Sequence, residues 1–119
     1  MIETAQIKDT MLGIEDHGIF TCWIQLDYGS AGQAFGGYAM DTPMFEDPEK
    51  MSGFKGRVGT AWGMEFISKL LATVGVESWE KLPGTHVRVD CDHGKVYRIG
   101  HVLKDKWFDP TVDLEHVKE

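Results

Sequence analysis

Hydrophobic positions alternate along residues 19–28, where one side of an extended chain carries Phe20, Cys22, Ile24, Leu26 and Tyr28. A period of two is typical of a half-buried β-strand. Residues 1–14 mix apolar and polar positions and predict a preceding strand. Between the two, Asp16-His17-Gly18 has the composition of a turn. The first quarter of the chain is therefore predicted to be a β-hairpin.

The pattern changes to a helical one after residue 60. Apolar residues recur every four positions, at Trp62, Phe66, Leu70 and Val74, which is the spacing of a helix with one buried face. Thr60 is a suitable N-cap, and Gly75 is a suitable C-terminal cap. One main helix over about 60–74 is predicted.

The chain between and after these elements predicts a second hairpin and one long loop. Val87, Val89 and Cys91 alternate, 92–94 reads as a turn, and 95–103 returns as the partner strand. Residues 41–59 contain two prolines and three glycines, which predicts a loop. A short strand is expected at 38–40.

This order of elements favours a single α+β domain over residues 1–119. An antiparallel sheet built from hairpins would carry the main helix on one face. A small half-open barrel capped by the helix is the alternative. The length of 119 residues suits one domain.

Charge is distributed unevenly along a chain whose net charge is −7. No Lys or Arg lies between Lys8 and Lys50, and the eight acidic residues of that segment give it −8. Direct nucleic-acid binding is disfavoured, because it needs clustered bases. The base-free segment of residues 9–49 instead suits a basic protein partner. The other interpretation is a solvated acidic face. The expected partner-binding residues are Glu15, Asp16, Trp23, Asp27, Asp41, Glu46 and Asp47.

Export and membrane insertion are not indicated. No apolar run approaches the ~18 residues of a membrane span, and the acidic start of the chain lacks the features of a signal peptide. The two cysteines, Cys22 and Cys91, are interpreted as reduced thiols of a cytosolic protein.

Residues 28–38 form the strongest candidate for a ligand-binding loop. Four glycines allow close approach of backbone amides to a ligand, and aromatic rings flank them. The nearest predicted helix is more than twenty residues away, so this is not a P-loop. The alternative is a glycine-rich connection that only packs tightly. The expected ligand-binding residues are His17, Tyr28, Gly29, Gln33, Phe35, Gly36, Gly37 and Tyr38.

Catalytic and metal motifs are weak. The five histidines are scattered, none has a compact ligand spacing, and no metal or cofactor is expected. Glu15 and Asp16 beside His17 could act as an acid–base cluster, although a surface turn is the commoner explanation of such a group. No catalytic residue is assigned.

Several segments together resemble a group of small, functionally unassigned proteins of tailed bacteriophages and prophages. They are residues 14–19, 26–29, 32–33, 35–38, 76–82 with Gly84, 99–101 and 107–108. The resemblance implies action in the cytoplasm of an infected bacterium. Small phage proteins of this kind often act by stoichiometric binding.

Two hypotheses follow. The first is a non-enzymatic inhibitor of a bacterial defence system. It would bind a host protein, in the manner of an anti-CRISPR protein, through residues 9–49. Alternatively, it would sequester a small signalling nucleotide at the 28–38 loop, across the interface of a homo-oligomer. The second hypothesis is a small enzyme or accessory factor of phage nucleotide or DNA metabolism, with Glu15, Asp16 and His17 as working residues.

Overall fold

A computed structural model describes residues 1–117 and contains eight strands and one main helix within that range. The strands are β1 (Ile2–Asp16), β2 (Ile19–Asp27), β3 (Gly32–Gly36), β4 (Asp41–Asp47), β5 (Ser52–Gly59), β6 (His86–Cys91), β7 (Val96–His101) and β8 (Trp107–Phe108). The helices are α1 (Ala61–Val74), a 3-10 turn (Trp79–Lys81) and the short α2 (Pro110–Asp113).

Six of the strands form one antiparallel sheet in the order β3-β2-β1-β6-β7-β8. The predicted hairpins, β1–β2 and β6–β7, are both present, and β1 joins them by pairing with β6 from Ile2↔Asp90 to Gln6↔His86. The sheet is strongly curled, because β3 contacts β7 although three strands separate them in the sheet order. Curling brings the two ends of the sheet together around the core.

The helix α1 packs on the concave side of this sheet. Phe66 and Leu70 are fully buried there, and the Phe66 ring lies 6.1 Å from Phe35 and 5.1 Å from Phe108. Thr60 accepts a hydrogen bond from the Gly63 amide and so caps the first turn. The predictions of an α+β fold and of a helix over about 60–74 are confirmed.

Two predictions about the glycine-rich half of the chain are wrong. Residues 38–40 contain no strand; the strand lies earlier, at β3, where Gly36 pairs with Trp23. A side chain at Gly36 would collide with the Cys22 carbonyl, so glycine is required for this close pairing.

Residues 41–59, predicted to be a loop, form the separate β4–β5 hairpin, which we call the hairpin arm. Proline and glycine are tolerated here because neither strand lies inside a larger sheet. The arm begins beside the start of β2, where the Phe20 amide donates to Asp41 Oδ2 at 3.1 Å and the Met40 amide donates to the Phe20 carbonyl at 2.8 Å. The molecule measures 48 × 27 × 26 Å.

Candidate functional site

A cavity of about 490 Å³ opens between the β2–β3 turn and the β6–β7 turn. This is a volume that suits a small ligand. Chain segments far apart in sequence supply its walls, since the start of β1 also takes part. The lining residues are Met1, Glu3, Tyr28, Ser30, Ala31, Gly32, Gln33, Cys91, Asp92 and His93.

Aspartate side chains hold both turns in shape. Asp27 accepts a hydrogen bond from the Gly29 amide at 2.7 Å, and Gly29 has a φ of 97°, which a residue with a side chain rarely adopts. In the other turn Asp92 Oδ1 accepts from the amides of Gly94 and Lys95, at 2.8 and 2.9 Å. Such local bonds are the reason that aspartate is common in turns.

A chain of hydrogen bonds joins the two turns across one wall of the cavity. The Tyr28 hydroxyl donates to Gln33 Oε1 at 2.6 Å, and Gln33 Nε2 donates to the Asp92 carbonyl at 2.8 Å. Burial, followed by the neighbouring Cys91, raises the pKa of Tyr28. The phenol is therefore neutral at physiological pH and keeps the proton that it donates to Gln33.

The ionisable groups of the cavity are mainly acidic. The Tyr97 hydroxyl donates to the Asp92 carboxylate and, with the Gly94 amide, lowers its pKa. Asp92 is thus ionised at neutral pH. Glu3 adds a second carboxylate, and the lining residue Met1 carries an ammonium group that donates to Asp90 Oδ1 at 3.1 Å and to the Cys91 carbonyl at 3.0 Å. The acids can accept hydrogen bonds from a ligand's amino groups and would repel a phosphate placed beside them.

The glycine-rich loop divides at Gln33. Tyr28 and Gln33 line the cavity, and Gly29 lies in the turn that shapes it. Phe35 is only 1% exposed and belongs to the core, and Gly36 fits against the backbone of β2. The first half of the loop thus forms a cavity wall, and the second half packs tightly.

Three more of the expected ligand-binding residues lie outside the cavity lining. A Cβ at Gly37 would lie 2.5 Å from the Trp23 ring, so Gly37 serves packing there. Tyr38 is partly buried and packs against Phe66, with 5.6 Å between ring centroids. His17 lies at the tip of the β1–β2 hairpin, at the end of β2 opposite to Tyr28. At ~3.3 Å per residue the length of β2 separates them by roughly 30 Å.

The expected partner-binding residues do not form one surface. Glu15 and Asp16 lie at the β1–β2 tip, whereas Asp27 lies at the other end of β2, 3.6 Å from the Nζ of Lys8. The remaining four residues lie elsewhere in the fold and are exposed to different degrees. Trp23 is half-buried against Gly37, Asp41 is buried at the base of the hairpin arm, and Glu46 and Asp47 lie at the far end of β4.

Asp41 forms a buried ion pair with Arg57 at the base of the arm. The Arg57 Nη2 lies 2.9 Å from Asp41 Oδ1, and this guanidinium, together with the Phe20 amide, lowers the pKa of the Asp41 carboxyl. The ion pair joins β4 to β5, and the hydrogen bond from the Phe20 amide to Asp41 fastens the arm to β2. Its buried charge serves the fold and is not available to a partner protein.

At the β1–β2 tip, Asp16 and His17 form an exposed carboxylate–imidazole pair. Asp16 Oδ1 lies 2.7 Å from His17 Nδ1, and the His17 side chain is 90% exposed. Hydrogen bonds from His17 and then Trp23 lower the pKa of Asp16. Both His17 and Gly18 have positive φ, as a tight two-residue hairpin turn requires.

Sequence reasoning missed Glu3, Ser30, Cys91, Asp92 and His93 as members of one site. The sequence predicts residues 92–94 only as a turn. In residues 1–117, no three His, Cys, Asp or Glu side chains group so that they could hold a metal ion. No helix in that range is long and apolar enough to cross a membrane.

A scan against protein-family models, a search of curated proteins and a search of solved structures each found no match to this chain. Function is therefore inferred from the residues and geometry of the site.

Proposed function

We propose that the protein is a non-enzymatic, phage-type binding protein that sequesters a small nucleotide-like ligand and thereby inhibits a bacterial defence system. It would act in the cytoplasm of the host bacterium. The observation that carries the proposal is the cavity of about 490 Å³ between the two turns. Its mixture of polar groups and apolar walls is typical of small-molecule sites.

The polar groups of the cavity favour the nucleobase end of such a ligand. Gln33 and His93 can each donate and accept hydrogen bonds, and Glu3 and Asp92 can accept from an exocyclic amino group. Phosphates would lie away from these two carboxylates. Binding without turnover makes the inhibition stoichiometric, so one protein site removes one ligand molecule.

Native mass spectrometry of protein purified gently from bacterial lysate tests the proposal, followed by denaturing analysis of the released ligand. We expect an adduct of nucleotide-like mass that Gln33→Ala removes or weakens at least tenfold. The matched control is Gln25→Ala, because Gln25 is exposed on β2 and does not line the cavity. Titration with nucleosides and nucleotides gives the affinity directly. A ligand-free protein that binds none of them, or equal losses in the two variants, would contradict the proposal.

A second candidate function is inhibition of a host protein through the β1–β2 tip. Leu12 and Ile14 are exposed there beside Glu15 and Asp16, and an apolar patch with an acidic rim suits a protein contact. On this hypothesis Ile14→Ser abolishes a defined host complex and Gln33→Ala leaves it intact. The hypothesis of a small enzyme predicts instead that His17→Ala abolishes turnover without loss of folding.

A further inference from the structure

A second cavity, of about 400 Å³, lies between the C-terminal half of α1 and the strand β8. Lys69, Ala72 and Thr73 form its wall on the helix side. Residues 106–108 and Asp113 of α2 form the opposite wall. None of these residues lines the cavity between the two turns. The two cavities can therefore be occupied independently of each other.

Thr73 supplies a buried polar group to this second cavity. Its side chain is only 8% exposed, yet its hydroxyl has no hydrogen-bond partner among residues 1–117. A threonine in a helix commonly donates to the carbonyl four residues earlier. Thr85 forms such a bond with the Lys81 carbonyl at 2.8 Å, whereas Thr73 does not. Because a buried hydroxyl without a partner costs stability, the Thr73 hydroxyl is suited to bind a ligand.

Two lysines contribute positive charge from the two walls of the cavity. Lys69 lies half-buried on α1, and Lys106 directly precedes β8. In the part of the chain that the structure describes, neither ammonium group forms an ion pair. Lys106 Nζ donates to the Ala72 carbonyl at 3.1 Å, which uses one of its three N–H groups and holds it at the wall. Both lysines can therefore donate to an anion in the cavity.

The acidic side chain of the lining, Asp113, has a local structural role. Its Oδ2 accepts a hydrogen bond from the Asp109 amide at 2.9 Å and so stabilises the first turn of α2. Two lysines and one aspartate give the lining a net charge of +1, in a chain whose net charge is −7. A positive cavity in an acidic protein attracts anions rather than cations.

The wall residue Trp107 brings further positive charge close to the cavity. Its ring packs on Gly100, where a Cβ would lie 2.7 Å from the ring. The guanidinium carbons of Arg88 and Arg98 lie 5.0 and 4.3 Å from the ring centroid. Arg98 pairs with Asp90 at 3.0 Å, whereas Arg88 donates to two backbone carbonyls and forms no ion pair within the described range. The Arg88 charge is near enough to favour an anion in the cavity.

We propose that this cavity is a second binding site, for a small organic anion whose carboxylate or phosphate is bound by Lys69, Lys106 and the Thr73 hydroxyl. Trp107 and Phe108 supply the apolar part of the wall, so a ligand that joins its anionic group to a small apolar group is favoured over a bare ion. The site differs in chemistry from the cavity between the two turns, where Glu3 and Asp92 repel a phosphate.

Titration of ¹⁵N-labelled protein with phenyl phosphate and with benzoate tests the proposal, at an ionic strength matched with sodium chloride. We expect saturable shifts of the Thr73 and Trp107 amide signals, with a dissociation constant in the millimolar range, as is usual for ligands of about ten non-hydrogen atoms. Tighter binding of phenyl phosphate than of benzoate would identify a phosphate ligand, and the reverse order a carboxylate.

Substitution of the lysines tests which groups bind the anion. Lys69→Gln and Lys106→Gln should each weaken binding by about tenfold, the effect of losing one charged hydrogen bond. The matched control is Lys55→Gln, which removes the same charge from an exposed position on β5 outside the cavity. Thermal unfolding verifies that each variant is folded. Lys69→Gln keeps the test decisive if Lys106→Gln is unstable, because the Lys69 ammonium group forms no ion pair within residues 1–117.

Asp113→Asn tests the sign of the charge that the cavity binds. Asparagine still offers an oxygen to the Asp109 amide, and loss of the negative charge should strengthen anion binding by about twofold or more. Gln33→Ala should leave this binding unchanged, so the nucleotide proposal and this one can fail separately. Three results would overturn the proposal: no saturable shift with either probe, equal effects of Lys69→Gln and Lys55→Gln, or weaker binding to a folded Asp113→Asn variant.

Discussion

Replacing Gly63 with alanine tests the packing of α1 on the rest of the chain. Gly63 lies in the first turn of the helix, and its amide donates to the Thr60 side chain at 3.0 Å. Helix propensity alone predicts that Gly63→Ala stabilises the protein by about 1 kcal/mol. The structure predicts the opposite sign.

A Cβ at position 63 would lie 2.5 Å from the Met40 carbonyl oxygen and 2.6 Å from the Met40 Cβ. This carbonyl has little freedom, since it accepts hydrogen bonds from both the amide and the hydroxyl of Thr60, at 3.2 and 3.1 Å. Overpacking of such a site costs about 1–3 kcal/mol. Because the obstacle is backbone, we take the upper value of ~3 kcal/mol, and subtracting the propensity gain of ~1 leaves a net loss of ~2 kcal/mol.

Urea unfolding followed by tryptophan fluorescence measures the difference in the free energy of unfolding. The control is Gly59→Ala, where a Cβ meets no atom within 4 Å and φ is not positive; we expect a change within about 0.5 kcal/mol. If Gly63→Ala raised the free energy of unfolding, the close approach of α1 to Met40 would be refuted.

Three further predictions concern the buried polar groups. Asp41→Asn weakens the pairing with Arg57 and should lower the free energy of unfolding at neutral pH by ~1–3 kcal/mol. Because the folded pKa of Asp41 is lowered, the carboxylate stabilises the protein above its ordinary pKa of ~3.9, and this stabilisation is lost as the pH falls through the folded pKa. When the free energy of unfolding is measured against pH, the difference between the wild type and the variant should therefore disappear in that acid range. Tyr28→Phe removes the hydrogen bond to Gln33, and urea unfolding should show a loss of ~0.5–1.5 kcal/mol. Cys22 is buried and its pKa is raised to about 12, so a thiol reagent should modify it only as fast as the protein opens, which time-resolved mass spectrometry measures.

Local patterns predict much of this fold because local forces determine those parts. Alternation along β2 and the four-residue spacing along α1 both reflect which side of an element meets the core. Thr60 and Gly75 mark the helix ends for reasons of hydrogen bonding and backbone conformation that need no tertiary information. The same is true of the turn at 92–94, where Asp92 bonds the following amides.

The two strands of the hairpin arm could not be predicted from local patterns, for a physical reason. Pro43 and the glycines of β5 normally signal a loop, and no continuous alternation marks a buried face. The bulge between Pro43 and Phe45 shifts the register and so disrupts the period of two.

The cavity depends on the curvature of the sheet, which side-chain alternation does not encode. Glu3, Gln33 and Asp92 meet because β1 pairs with β6 and because the sheet curls until β3 reaches β7. Alternation assigns a residue to a face, but a flat sheet of the same strand order would leave Gln33 and Asp92 at least three strand spacings apart, roughly 15 Å. The hydrogen bond from Gln33 to the Asp92 carbonyl exists only in the curled form.

That bond both closes one wall of the cavity and occupies the amide that a ligand would engage. A ligand that binds Gln33 must therefore replace this bond or accept a hydrogen bond from the remaining amide hydrogen. Either requirement favours a planar group with adjacent donors and acceptors, such as the edge of a nucleobase.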